Sequence, residues 1–421
     1  MPPLPRRSPL KSQLPTLAFT TNPARYKSSY KMPQDAKTDI EEGTRAYRPG
    51  RFHPVYIGDV FKDRYKVLNK IGYGVYSTVW LVRDLVPAQS GPENEFRALK
   101  VLSAECYDGM EAPIFEREIL THLRRGDRHQ LGYNHVCHIL DDFEHRGPNG
   151  THVCLVFELM GETLRSFGAW FAESRLPNSV MRRFTIQLLL VLDFFHEHNV
   201  IHTVQGLFLD RIRLPDRCCD SLQDRSEEQY SVVPSTPLRR YYFNEADSRR
   251  AAEFDIALGD WGVSSWTDRH LCDLIQPVAL RSPEVLIQAP WDASTDFWNL
   301  GAVVLEVFQA VRMFSGSVPP DGHYELKEHL AEIVDLFGPF PNELLERGNE
   351  SLVQNLFDGD GRIKDAPPMD RSGLASEAFM PGLDQELRDE FASFLQAMMK
   401  INPADRVSAE DLLRHPWLDA L

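Results

Sequence analysis

Three short stretches of this sequence could handle a phosphate group. Gly72-Tyr73-Gly74-Val75-Tyr76-Ser77-Thr78-Val79 sets two glycines between β-rich runs. A backbone without Cβ lets its amides approach a triphosphate closely, although an ordinary hairpin also uses such a pair. The loop opens no helix and no Gly-Lys-Ser/Thr follows it, so neither a dinucleotide-binding turn nor a P-loop fits. Ala98-Leu99-Lys100 ends an apolar run downstream. A lysine there is commonly a solvated strand edge; behind a glycine loop it can grip α- and β-phosphates. Glu118 is the expected carboxylate partner of Lys100, and Glu116 is a rival that pattern alone leaves open. Leu258-Gly259-Asp260-Trp261-Gly262 ends a strand on an acid and a glycine, a combination that is commonplace in isolation.

These residues need a scaffold, and periodicity supplies one. Tyr65–Lys70, Thr78–Val82 and Phe96–Leu102 read as an antiparallel meander, with a Pro/Ser/Gly turn at 87–92. Residues 111–124 read as a helix with Ile114, Glu118 and His122 at i, i+4 spacing. Val136–Phe143 and His152–Phe157 read as two more strands around Gly147-Pro148-Asn149-Gly150. Beyond Glu158 the pattern turns helical. Residues 179–198 place Phe184, Leu188, Val191 or Leu192, and Phe195 on one apolar face. Further helical pattern covers 296–311, 324–337, 385–400 and 408–414, while 215–250 is polar and turn-rich, as in an insertion loop. The expected fold is α+β and bilobal. A small β-rich lobe occupies 46–158 and a large helical lobe 159–421, after a disordered tail at 1–45.

Composition limits the setting. The 421 residues carry 61 Asp and Glu against 46 Lys and Arg, a net charge of −15 that disfavours general nucleic-acid binding and suits basic partners. Six cysteines without metal-type spacing suit reduced thiols in the cytoplasm or nucleus, with Cys218-Cys219 read as a loop pair. No apolar run approaches the roughly 20 residues that span a bilayer. Residues 1–34 hold no acid, six Lys or Arg and seven Pro. That composition touches on a targeting segment, but the prolines oppose the amphipathic helix such a signal uses.

Downstream of Asp260 come Leu280-Arg281-Ser282-Pro283-Glu284, then Asp296-Phe297-Trp298-Asn299-Leu300-Gly301, then Asn402-Pro403-Ala404-Asp405-Arg406. In this order the pieces are highly specific. Over residues 60–420 the chain resembles the eukaryotic protein-kinase family, and in particular the SR-protein kinases and their fungal relatives. His53-Pro54-Val55-Tyr56-Ile57-Gly58-Asp59, Ser77-Thr78-Val79-Trp80, Ile275-Gln276-Pro277 and Leu336-Phe337-Gly338-Pro339-Phe340-Pro341 carry the narrower likeness. The resemblance implies ATP and Mg²⁺ as cofactors. It implies Ile71, Gly72, Gly74, Val79, Ala98 and Lys100 around the nucleotide, Phe157 behind the adenine, and a hinge at Glu158–Met160. Asp260 would hold Mg²⁺, Glu284 would pair with Arg406, and Asp296 would anchor the catalytic loop from below.

One block departs from that family. Its members carry His-Thr-Asp, a Lys two residues on, and an Asn five residues on from the Asp. Here the chain reads His202-Thr203-Val204-Gln205-Gly206-Leu207-Phe208-Leu209-Asp210. Val204 takes the place of the Asp, Gly206 that of the Lys and Leu209 that of the Asn. Asp210 could serve as a metal ligand after a one-residue slip; nothing replaces the base. The losses are contiguous, which suits either a mis-spliced or frame-shifted coding sequence or a specific replacement for non-catalytic use. Thr203 also stands where many kinases have an arginine that senses activation-loop phosphate, so that switch is not expected here.

Residues 316–390 hold 17 acids and 6 basic residues. A solvated helical surface accounts for this. So does an acidic docking surface for Arg/Ser-rich segments, since the resembled enzymes bind their substrates in this insert. The functional expectation is therefore a serine/threonine protein kinase acting, as a monomer, on a basic protein. The alternative is a pseudokinase scaffold, and a small-molecule phosphotransferase is disfavoured by the Ser282-Pro283-Glu284 and Arg406 pieces.

Overall fold

The computed structural model describes residues 41–86, 95–107, 114–161, 163, 167–168, 171–203, 206–209, 230–236, 255–318, 322–366 and 373–418. The first lobe is built on one sheet of six strands: β1 (Val60–Phe61), β2 (Tyr65–Tyr73), β3 (Ser77–Asp84), β4 (Phe96–Leu102), β5 (Ile139–Gly147) and β6 (Gly150–Glu158). They run antiparallel in the order β1-β2-β3-β4-β6-β5. The expected meander is there: β4 has the expected bounds, and β2 and β3 run up to three residues beyond theirs. One face packs Val67, Trp80, Val82, Leu99, Val101 and Val156 into a core with Val55 and Phe61.

Helix α1 (Glu116–Arg124) crosses the other side of the sheet. It begins two residues before Glu118, and its buried residues are Glu116, Ile119, Leu120 and Leu123, at i, i+3, i+4 and i+7. Of the three residues noted at i, i+4 spacing, Ile114 is buried but precedes the helix, while Glu118 and His122 are exposed.

The second lobe centres on α2 (Asn178–Glu197), a 20-residue helix. Phe184, Leu188, Val191, Leu192 and Phe195 are all buried, as the apolar period predicts. Helix α3 (Pro283–Leu286), α4 (Thr295–Gln309), α5 (Leu326–Phe337), α6 (Asn342–Leu345), α7 (Glu350–Leu356), α8 (Gln385–Met398) and α9 (Ala409–Leu413) complete the lobe. A single hydrophobic cluster runs from Leu120 and Leu123 of α1 through α2 to Trp298, Phe308 and Trp417, so the two lobes share apolar contact behind the cleft. Between them lie short pairings: Val200–Ile201 with Ser265–Trp266, and Gly206–Leu209 with Ile256–Gly259. Among the described residues no helix is long and apolar enough to cross a membrane.

Candidate active site

Strand register decides which side chains face the cleft. Gly72 lies opposite Val79, Val79 opposite Lys100, and Ala98 opposite Phe157. Directly opposed residues share a face, and so do residues two apart on a strand. Val79, Ala98, Lys100 and Phe157 therefore point into the same space, below Gly72. Ile71 and Ala98 pack on a small cluster with Leu68, Leu81, Phe96 and Leu159 of the hinge. Glu158 closes β6 and Met160 follows, each half-buried at the mouth.

Gly72 and Gly74 have no internal reason to be glycine. Neither has a positive φ. A Cβ added at Gly72 would meet nothing within 4 Å, and one at Gly74 only Ser77 Oγ at 3.8 Å. Elsewhere the chain uses glycine against its own atoms: at Gly132 a Cβ would strike the Leu190 carbonyl at 2.0 Å. The loop leaves room for something outside the chain to approach its backbone.

The Lys100 ammonium donates to Glu116 Oε1 at 2.6 Å, so the partnership expected of Glu118 belongs to Glu116. Glu118 lies on the outer side of α1, where it accepts from the Tyr107 hydroxyl at 3.4 Å. Two residues along a helix are about 200° apart, so only one of the two acids can reach the sheet. Lys100 is also 3.9 Å from Asp260 Oδ1. Burial pulls the ammonium's pKa down, but Glu116 and then Asp260 outweigh it and hold it above its ordinary range. For Glu116, burial pushes the carboxyl up against the pull of Lys100. Glu116 Oε2 is buried without a hydrogen-bond partner.

Asp260 has φ 63 and ψ 59, a left-handed conformation that aspartate tolerates, at the start of the turn Trp261–Val263. Its side chain is 56% exposed, beside a lysine at 13%. The described residues hold no group of three acids, histidines or cysteines that could bind a metal. A lone, accessible carboxylate fits Mg²⁺, which keeps its waters and takes most of its remaining ligands from phosphate oxygens. Trp261 is buried edge-on against His202, centroids 4.5 Å apart, and against Phe195 at 5.5 Å.

The backbone at His202 and Thr203 is tied down by Asp296. Asp296 accepts from the backbone amides of His202 and Thr203, both at 2.9 Å, and contacts His196 Nε2 at 3.0 Å. The Thr203 hydroxyl donates to the Val263 carbonyl at 2.8 Å, and Ser264 Oγ to the His202 carbonyl at 3.1 Å. Thr203 has φ 62, a strained state for a β-branched residue that these bonds hold in place. Val204 and Asp210 lie outside the described residues. At the base of the lobe Arg406 grips Glu284 with two bonds, 2.7 and 2.6 Å, as the resemblance implies. Sequence reasoning missed Thr203 as a strained anchor; no propensity marks a threonine for φ above zero.

Fold and cleft together define a two-lobed nucleotide-site architecture of the phosphotransfer type. The family model described as the protein kinase domain matches residues 247–418. A serine/threonine protein kinase of Aspergillus fumigatus is 30% identical over 99% of this chain and 96% of its own length. The serine/threonine-protein kinase SRPK of Physarum polycephalum is 28% identical over 90% of this chain and 91% of that one. For protein kinase dsk1 of Schizosaccharomyces pombe the figures are 28%, 90% and 85%. A solved kinase domain superposes with a TM-score of 0.59 at 19% identity, covering 86% of this chain and 98% of the other, which speaks to the fold. The chain belongs to the eukaryotic serine/threonine protein-kinase family, among the SR-protein-kinase relatives.

Proposed function

We propose that the chain is an SR-protein-kinase-type protein that binds Mg·ATP between its lobes and recognises a basic, Arg/Ser-rich protein segment, with γ-phosphoryl transfer to serine or threonine throttled at Val204. The observation that carries the nucleotide half is the Lys100 ammonium, bonded to Glu116 and 3.9 Å from Asp260, beneath glycines with open space above them. In this reading residues 46–158 form the nucleotide lobe and 159–421 the protein-substrate lobe. Gly72, Gly74 and Lys100 would hold the phosphates and Asp260 the magnesium ion. Ile71, Val79, Ala98 and Phe157 would enclose the base, and Glu158 and Met160 would border its edge. Bound Mg²⁺ supplies charge neutralisation at the phosphates.

At the transfer end the side chains offer little. Val204 has no oxygen to take or orient the hydroxyl proton, Gly206 no ammonium and Leu209 no metal-binding oxygen. Loss of a general base typically costs about 10²–10⁴ in rate. A second reading, a scaffold that holds nucleotide and partner without transfer, is favoured by the position of that loss. The bond from Thr203 N to Asp296, one residue before it in the chain, and the Lys100–Glu116 pair are both kept. Seventeen acids against six basic residues in 316–390 support a basic partner for either reading, bound more weakly as salt rises. Unbridged thiols at the described cysteines 106, 154 and 272 support a cytoplasmic or nuclear setting.

The test pairs the chain as written with V204D/G206K/L209N. Both should gain thermal stability from Mg·ATP. The triple variant should transfer phosphate to an Arg/Ser-repeat peptide about 10²-fold faster or more. Absence of a Mg·ATP shift in the chain as written overturns the nucleotide site, and transfer at equal rates overturns the role given to Val204.

A further inference from the structure

The described part of the insert, residues 230–236, lies against the first lobe beside the glycine strand. Thr236 N donates to the Lys70 carbonyl at 2.9 Å, one residue before Ile71-Gly72, and Asn69 Nδ2 donates to Thr236 Oγ1 at 3.2 Å. Val233 is buried in the sheet core with Val55, Val67 and Trp80. The Tyr230 hydroxyl donates to the Val55 carbonyl at 2.8 Å, and its ring packs 4.3 Å from that of Tyr47. A buried charge cluster sits beneath this strap. Lys70, fully buried, bonds Glu41 at 2.8 Å and also Glu42. Glu41 accepts in addition from Ser235 N at 2.6 Å and Ser235 Oγ at 3.0 Å. Burial opposes the ionisation of Glu41, but Lys70 and both Ser235 donors outweigh it and hold the carboxyl below its usual range.

One ammonium therefore serves two carboxylates, and neutral Ser235 donors complete the balance. We propose that Ser235 is a phosphorylation site whose modification releases the 230–236 strap from the first lobe. A second protein kinase would transfer the γ-phosphoryl of ATP to Ser235 Oγ. The Oγ–P bond forms as the β–γ bridging bond breaks, ADP leaves and the hydroxyl proton passes to solvent. Glu41 then loses a donor and faces a group of charge about −1.5 to −2. Lys70 is already committed to two acids, so like-charge repulsion expels the strap. The glycine strand loses its Thr236 bond with it.

Charge is separated from size by alkylating the folded Ser235→Cys protein with iodoacetate, which adds a carboxylate, or with iodoacetamide, which adds a neutral group of similar bulk. Wild-type protein treated with each reagent controls for the other cysteines. Hydrogen exchange at the amides of residues 235 and 236 is the readout. It should accelerate about tenfold or more in the charged arm, change little in the neutral arm, and be partly restored by adding E41Q. Equal acceleration in both arms, or none in the charged arm, overturns the proposal. No nucleotide is present in the assay, so its outcome is independent of the ATP site.

Discussion

Two buried ion pairs, one in the cleft and one at the base of the helical lobe, are built from the same charges to different ends. Arg406 and Glu284 use everything they have. Both carboxylate oxygens are bonded, the guanidinium also reaches the carbonyls of Ser294 and Lys400, and its Cζ lies 5.5 Å from the centroid of the Trp298 ring. Lys100 and Glu116 share a single bond, leave Glu116 Oε2 unpartnered, and keep a half-exposed Asp260 nearby. A saturated pair has nothing to offer a ligand and serves the fold. An unsaturated pair in a cleft keeps capacity for one.

Substitutions can break this contrast. The largest effect on folding is expected for E284Q, which leaves a buried guanidinium that cannot lose its proton. Denaturant unfolding should show a loss of about 3–5 kcal/mol. K100M should cost less, because Glu116 can neutralise itself, but should lower Mg·ATP affinity about tenfold or more by calorimetry. The variant should also acquire a pH slope. Glu116, already held up by burial, rises further without its lysine. A carboxyl raised in the folded state stabilises in acid, and that contribution is lost as pH rises through its folded pKa. K100M should therefore melt higher at pH 5 than at pH 8, relative to the parent. The smallest effect is expected for E118Q, with stability within about 0.5 kcal/mol and nucleotide affinity unchanged. Were E118Q and E116Q to weaken nucleotide binding equally, the assignment of Lys100's partner would be wrong.

The acid at 116 illustrates what could be read without coordinates. The strands were legible from β-rich runs between turn residues, and α2 from its apolar period. Helix α1 was legible as a helix but not in rotation, because two acids two residues apart each satisfied a plausible spacing. The choice was available: Ile119, Leu120 and Leu123 stand at i+3, i+4 and i+7 from Glu116, and that stripe fixes the buried face. Asp296 was anticipated as the anchor from the family likeness. The positive φ of Thr203 was not, since it comes from tertiary bonds to Asp296 and Val263 rather than from any local preference. The docking of Val233 and Ser235 on the first lobe was equally hidden. A polar, turn-rich stretch carries no mark of where it will land.

The tie between Asp296 and the amides at 202 and 203 also separates shape from reactivity. Because the backbone is secured immediately before position 204, a side chain can be exchanged there without unravelling the frame. A chain altered only at that position would keep the frame that the two amide bonds to Asp296 hold.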